Sequence, residues 1–95
     1  MLFAIQCLDK PGATALRAEL RPSHLDYLAP HRPSIVLAGP FLAEDGQTST
    51  GSLIVIDCAD RAAAEAFAAG DPYAQGGLFQ SVDIRAWRQV IPGSP

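Results

Sequence analysis

A chain of 95 residues is long enough for one domain with a modest core and too short for two. Seven Lys and Arg against ten Asp and Glu leave a net charge of -3 with no basic block, which excludes the electrostatic footprint of a nucleic-acid binder. Hydrophobic residues make up 48% and charged residues 18%, so apolar that another subunit is expected to cover part of the surface.

The start, Met1-Leu2-Phe3-Ala4-Ile5-Gln6, lacks the basic region and longer apolar run of a signal peptide, and no segment is long enough to cross a bilayer. The expected setting is soluble and cytoplasmic, with no membrane partner. Cys7 and Cys58 form neither a CxxC pair nor part of a Cys/His cluster, so they read as small buried hydrophobes.

Leu2 to Leu8 is a short apolar run closed by Asp9-Lys10-Pro11-Gly12, a strand followed by a turn. From Ala13 to His31 the spacing is helical, with Ala13, Leu16, Leu20, Leu25 and Leu28 apolar and Arg17, Glu19, Arg21 and Asp26 between them. Pro22 lacks the amide hydrogen that would bond the Ala18 carbonyl, so the helix is expected to kink or restart there. His24, Leu28 and His31 fall along one side, their imidazoles ~10 Å apart along the axis, too far to share a metal ion. His31, near the helix end, is explained by the dipole and given no chemical role.

Ser34 to Phe41 is apolar at nearly every position until Gly39-Pro40, the pattern of a strand covered on both faces. Glu44-Asp45-Gly46-Gln47 reads as a turn and Thr50 to Ile56 as the returning strand of a long hairpin. Asp60 is placed to cap an alanine-rich helix, Arg61 to Ala69, with Gly70 as the left-handed residue that stops it. Asp71 and Pro72 then fit the cap and first position of another turn, and Tyr73 to Gly77 carries only enough pattern for a short turn or half-helix. Leu78 to Val90 alternates Val82, Ile84 and Ala86 with Ser81, Asp83, Arg85 and Trp87, a strand with one drier face. Residues 1–92 are taken as a single domain, and 93–95 as a frayed tail.

The order strand, helix, strand, strand, helix, strand is the ferredoxin-like α+β arrangement, with two helices on one face of an antiparallel sheet. The first three strands are apolar on both faces, so a homodimer stacked sheet to sheet is expected. Cys7 and Cys58 then lie at opposite ends of the sheet, beyond disulfide reach.

The run Arg21-Pro22-Ser23-His24-Leu25-Asp26-Tyr27-Leu28, then Gly39-Pro40, Gly51-Ser52, Asp71-Pro72-Tyr73 and a closing strand through Trp87 resembles the YCII-related (YciI-like) proteins over nearly the whole chain. The resemblance implies the dimeric α/β-barrel form of the ferredoxin-like fold and a His-Asp pair, His24 and Asp71, as the active site. A related member is similar to a dehydrochlorinase acting on a chlorinated hydroxyquinone, and muconolactone isomerases share the fold without the motif.

The sequence carries no Ser or Cys nucleophile motif, no Gly-rich phosphate loop and no metal cluster, so no cofactor is expected. Proton transfer on a small cyclic or aromatic acid, in an isomerisation or an elimination, is the chemistry left open. Asp71 would fix the tautomer of His24 and leave its other ring nitrogen to move the proton. Gly39, Pro40, Phe41, Tyr73 and Phe79 are candidate pocket residues, and Arg21 is available to an anionic group. Two competing readings are a non-catalytic binder or accessory dimer, in which the pair is a structural hydrogen bond worth about 1 to 3 kcal/mol, and an interaction module with only a dimer surface.

Overall fold

The computed structural model describes residues 1–93, so the expected tail lies outside the described residues from position 94 onward. The elements are β1 (Leu2–Asp9), α1 (Thr14–Leu28), a 3₁₀ turn (Ala29–Ser34), β2 (Ile35–Leu42), β3 (Ser49–Asp57), α2 (Arg61–Gly70), α3 (Pro72–Gln75) and β4 (Phe79–Trp87). The four strands form one antiparallel sheet in the order β2-β3-β1-β4, the ferredoxin-like α+β topology read from the sequence.

Register decides which side chains share a face. Ile5 pairs with both Ile54 and Ile84, and Cys7 with Ser52, so these residues project from the same side of the pleat. On that side Ile5, Cys7, Ile54 and Ile56 pack with Phe67 and Ala68 of α2 as the core. Removing a side chain of this size from water contributes about 1.5 to 3 kcal/mol. Asp60 caps α2 by accepting the Ala63 amide hydrogen at 2.9 Å.

Three local features differ from expectation. Of the kink or restart expected at Pro22, the restart does not occur: α1 runs as one helix from Thr14 to Leu28 with Pro22 inside it. Proline deletes one helical hydrogen bond, and because Ala18 and Pro22 are both exposed, water can take the freed carbonyl. Gly70 is not left-handed; it is the last residue of α2, and Asp71 makes the turn with extended backbone at φ -62° and ψ 128°. What position 70 requires is smallness, since a Cβ there would stand 2.6 Å from the Tyr27 hydroxyl, which itself donates to the Phe67 carbonyl at 2.9 Å. His31 falls beyond α1 in the 3₁₀ turn, its ring edge-on to Phe67 at 4.9 Å.

β2 is the edge strand beside β3, and within one chain its Val36 and Leu37 remain 44% and 46% exposed instead of covered on both faces. Both cysteines are free; Cys58 lies six residues along from Ser52, the partner of Cys7, or ~20 Å of strand. Among the described residues no helix is long and apolar enough to cross a membrane.

Candidate active site

The most buried residues of α1 are polar. Arg17 and His24 are its two buried residues, seven positions apart and so on one face of the helix, whereas Leu25 is 44% exposed. Each turns inward because a partner waits there.

His24 meets Asp71, which the α2–α3 turn delivers from 47 residues away. The ring Nδ1 lies 2.9 Å and 3.0 Å from the two carboxylate oxygens, and both side chains are buried. A carboxylate only accepts, so Nδ1 carries the hydrogen, and in the neutral form of the ring Nε2 is the bare nitrogen. The same Asp71 Oδ1 accepts the Tyr73 amide hydrogen at 2.9 Å and so caps α3. Capping and histidine pairing are therefore not alternatives at this residue; one carboxylate performs both.

Tyr73 stacks against the His24 ring with centroids 3.9 Å apart and planes 15° from parallel. The Arg17 guanidinium sits over the same phenol ring at 4.7 Å, which holds Tyr73 between two α1 side chains. Arg17 is fixed in turn by the Asp9 carboxylate, at 2.8 Å and 3.0 Å, and by a hydrogen bond to Ser52 Oγ at 2.9 Å. Burial raises the Tyr73 phenol above its usual pKa against the opposing pull of Arg17 and Arg21, so its hydroxyl stays protonated at neutral pH. The Cys7 thiol is pushed up to about 12, first by burial and then by the Asp71 and Asp9 carboxylates, with Arg17 acting the other way, so it is no nucleophile.

A cavity of about 490 Å³ opens between α1 and the β2–β3 side of the sheet, because the helix stands away from that edge. Arg17, Arg21, His24 and Tyr73 line one side; Gly39, Pro40 and Ser52 line the other. Leu25, Leu28 and Ile54 add an apolar patch, and Thr14, Thr48 and Ser49 a hydroxyl-bearing one. Among the described residues no group of three or more His, Cys, Asp or Glu side chains could hold a metal ion.

The structure thus brings together His24, Asp71, Arg21, Gly39, Pro40 and Tyr73. It does not bring Phe41 or Phe79 to the cavity wall. Phe41 pairs with Gly51, one residue out of phase with the Pro40–Ser52 pair, which puts its ring on the opposite face of the sheet. Phe79 packs edge-on behind Tyr73 at 5.9 Å. Sequence reasoning missed Arg17, Asp9 and Ser52. Their signals were present but faint: Arg17 stands two turns before His24 on the same helix face, and Ser52 is a polar residue two places before Ile54 on the core side of β3.

A family model for the YCII-related domain matches residues 1–88. Protein YciI of Escherichia coli O6:H1 is 30% identical over 98 residues, covering 96% of this chain and the whole of that protein. An uncharacterized protein of Haemophilus influenzae is 28% identical with the same coverage. Among solved structures, the 5-chloro-2-hydroxyhydroquinone dehydrochlorinase of Burkholderia phenoliruptrix AC1100, in complex with 2,5-dihydroxybenzoquinone, superposes with a TM-score of 0.88 at 28% identity, covering 99% of this chain and 100% of that one. An antibiotic biosynthesis monooxygenase shares the fold at a TM-score of 0.54 and 18% identity, covering 95% of this chain and 99% of that one.

Proposed function

Because the chain belongs to the YCII-related family, we propose that it is a small-molecule enzyme in which His24, oriented by Asp71, transfers a proton on a small cyclic or aromatic acid. The observation that carries this reading is the pairing of Nδ1 with a buried carboxylate in an imidazole that borders the cavity. Nε2 is then the base: it takes a proton from carbon or oxygen of the bound ring, and the electron pair moves into the ring system. In an elimination that pair expels an anionic leaving group from a neighbouring carbon, so the substrate loses H⁺ and the anion. In an isomerisation the imidazolium returns the proton to another atom. Asp71 offsets the positive charge on the ring in the meantime.

Tyr73 makes the ring platform on which His24 rests, and Arg21, exposed at the cavity edge, meets the acidic group of the ligand. The likeness to a dehydrochlorinase holding a dihydroxybenzoquinone favours elimination on a hydroxyquinone-type ring. The working form is a homodimer paired through the helix-free face of the sheet, where Leu8, Leu37 and Trp87 stand 52%, 46% and 38% exposed.

Chloride release from 5-chloro-2-hydroxyhydroquinone tests the reading. Wild-type protein is expected to release chloride, and His24→Asn to do so about 10²- to 10⁴-fold more slowly with its thermal unfolding little changed. Equal rates in the two proteins would remove His24 from the chemistry. A variant that loses only melting temperature would assign the pair to the fold, as expected of a non-catalytic binder.

A further inference from the structure

The cavity changes character along its length. Its lining on α1 runs from Thr14 to Leu28, ~21 Å of helix axis. Thr14 stands beside Thr48 and Ser49 at the hairpin end, Arg17, Arg21 and His24 follow, and Leu25 and Leu28 finish the row. The sheet changes in step with the helix. Pro40 pairs with Ser52, whereas two residues away Ala38 pairs with Ile54, so the strand side of the cavity turns from hydroxyl-bearing to hydrocarbon where the helix does.

The groups that would hold a reacting ring, Arg21, His24 and Tyr73, all lie on the polar side of that boundary; Tyr73 is fixed there between His24 and Arg17. Beyond it Leu25 is 44% exposed and Ala38 is exposed, with Ile54 buried beneath them. Water against these side chains finds no hydrogen-bond partner in them, so a hydrocarbon group displaces it favourably. Size points the same way. A volume of about 490 Å³ lies in the range, roughly 300 to 1,000 Å³, of pockets that bury drug-sized ligands, and a bare dihydroxybenzoquinone ring fills only part of it. The apolar end is also blind, because after Leu28 the chain turns through Ala29–Ser34 straight into β2 and so joins helix to strand. Between His24 and Leu28 the helix advances ~6 Å, which leaves room for a group of a few carbons.

We propose that this end is a hydrocarbon subsite, and that the cavity selects a hydroxylated ring carrying a short alkyl substituent, which lies over Ile54 among Leu25, Leu28 and Ala38. The proposal rests on the proton-transfer reading of His24, since it sets the reacting ring against His24 and Tyr73 at the boundary. A ring with a charged group in place of the alkyl chain is rejected, because that charge would lose water and gain no partner.

Calorimetric titration with 2,5-dihydroxybenzoquinones bearing a methyl, propyl, pentyl or heptyl chain, alongside chloride release from 5-chloro-2-hydroxyhydroquinone, tests this with wild type, Ala38→Phe, Leu25→Gln and His24→Asn. In wild type each methylene up to pentyl is expected to tighten binding about two- to fourfold, the upper figure corresponding to full burial. Heptyl is expected to add nothing, because the turn after Leu28 stops the chain. Ala38→Phe fills the apolar end from an exposed edge-strand position suited to an aromatic, and Leu25→Gln makes it polar with a good helix former; each is expected to lose most of the gain from methyl to pentyl. Equal wild-type affinity for every chain length, or a gain that persists in both variants, would overturn the subsite, and slow chloride release by His24→Asn would then leave the proton-transfer reading standing. Equal chloride release by wild type and His24→Asn would overturn that reading and the placement of the ring with it. Failure of wild type to bind any of the quinones would overturn both.

Discussion

One oxygen of Asp71 receives the Tyr73 amide and a ring nitrogen of His24, each at 2.9 Å, so substitution at this position can separate shape from charge. Asp71→Asn keeps an acceptor for the amide but presents an NH₂ group towards Nδ1. The imidazole is then expected to move its hydrogen to Nε2, which removes the proposed base. We expect chloride release to fall about 10²- to 10⁴-fold, a stability loss of only about 1 kcal/mol, and ¹⁵N spectra that place the hydrogen on Nε2. Spectra that keep it on Nδ1 would show that the carboxylate does not set the tautomer. At this scale the sequence spoke clearly only where a residue has few other uses. His24 and Asp71 stood out as a titratable pair, but Arg17 looked like any solvated helix charge, because its burial depends on Asp9, Ser52 and Tyr73 arriving from three other elements.

Strands and helices were legible because each has its own hydrophobic period, and the antiparallel hairpin of β2 and β3 followed from the turn between them. What the period could not supply was the reason for individual glycines and prolines. α1 does not restart at Pro22, one of the two outcomes expected there, and Gly70 is required by the Tyr27 hydroxyl and not by a left-handed turn. Gly51 is a sharper case of close approach: a Cβ on it would collide with the Cys7 carbonyl and stand 3.1 Å from the Phe41 ring. Gly51→Ala must push β1 and β3 apart, so urea unfolding is expected to show a loss of about 1 to 3 kcal/mol. A variant as stable as wild type would mean that the strands give way freely at this point. Because Ser52 is the next residue along β3, the same displacement would also loosen its contact with Arg17.

For the molecule as a whole, an apolar composition pointed to a covered surface before any element was assigned, and the sheet has an apolar, partly exposed face opposite its helices. There Leu37 on β2 pairs with Val55 on β3, which is 3% exposed, and Leu53 stands two residues before it on the same face. If two copies close over this face, a carboxylate placed in it has no partner and must be desolvated. Leu37→Asp is therefore expected to sediment as a monomer under conditions where wild type sediments as a dimer, with a lower melting temperature. A wild-type monomer, or a dimer that the substitution leaves intact, would move the interface elsewhere. The cavity lies on the other side of the sheet, so its existence could not be read from composition; it arises because α1 stands off from the edge strand.

The sharing of Asp71 between the turn and the imidazole also bears on how such a chain drifts over generations. Selection for a well-formed α3 is enough to preserve a capping acceptor at position 71, whether or not any reaction is still under selection. His24 has no comparable second employment in the backbone. A descendant released from the proposed chemistry would therefore be expected to change first at position 24, with position 71 confined to side chains that can still cap α3.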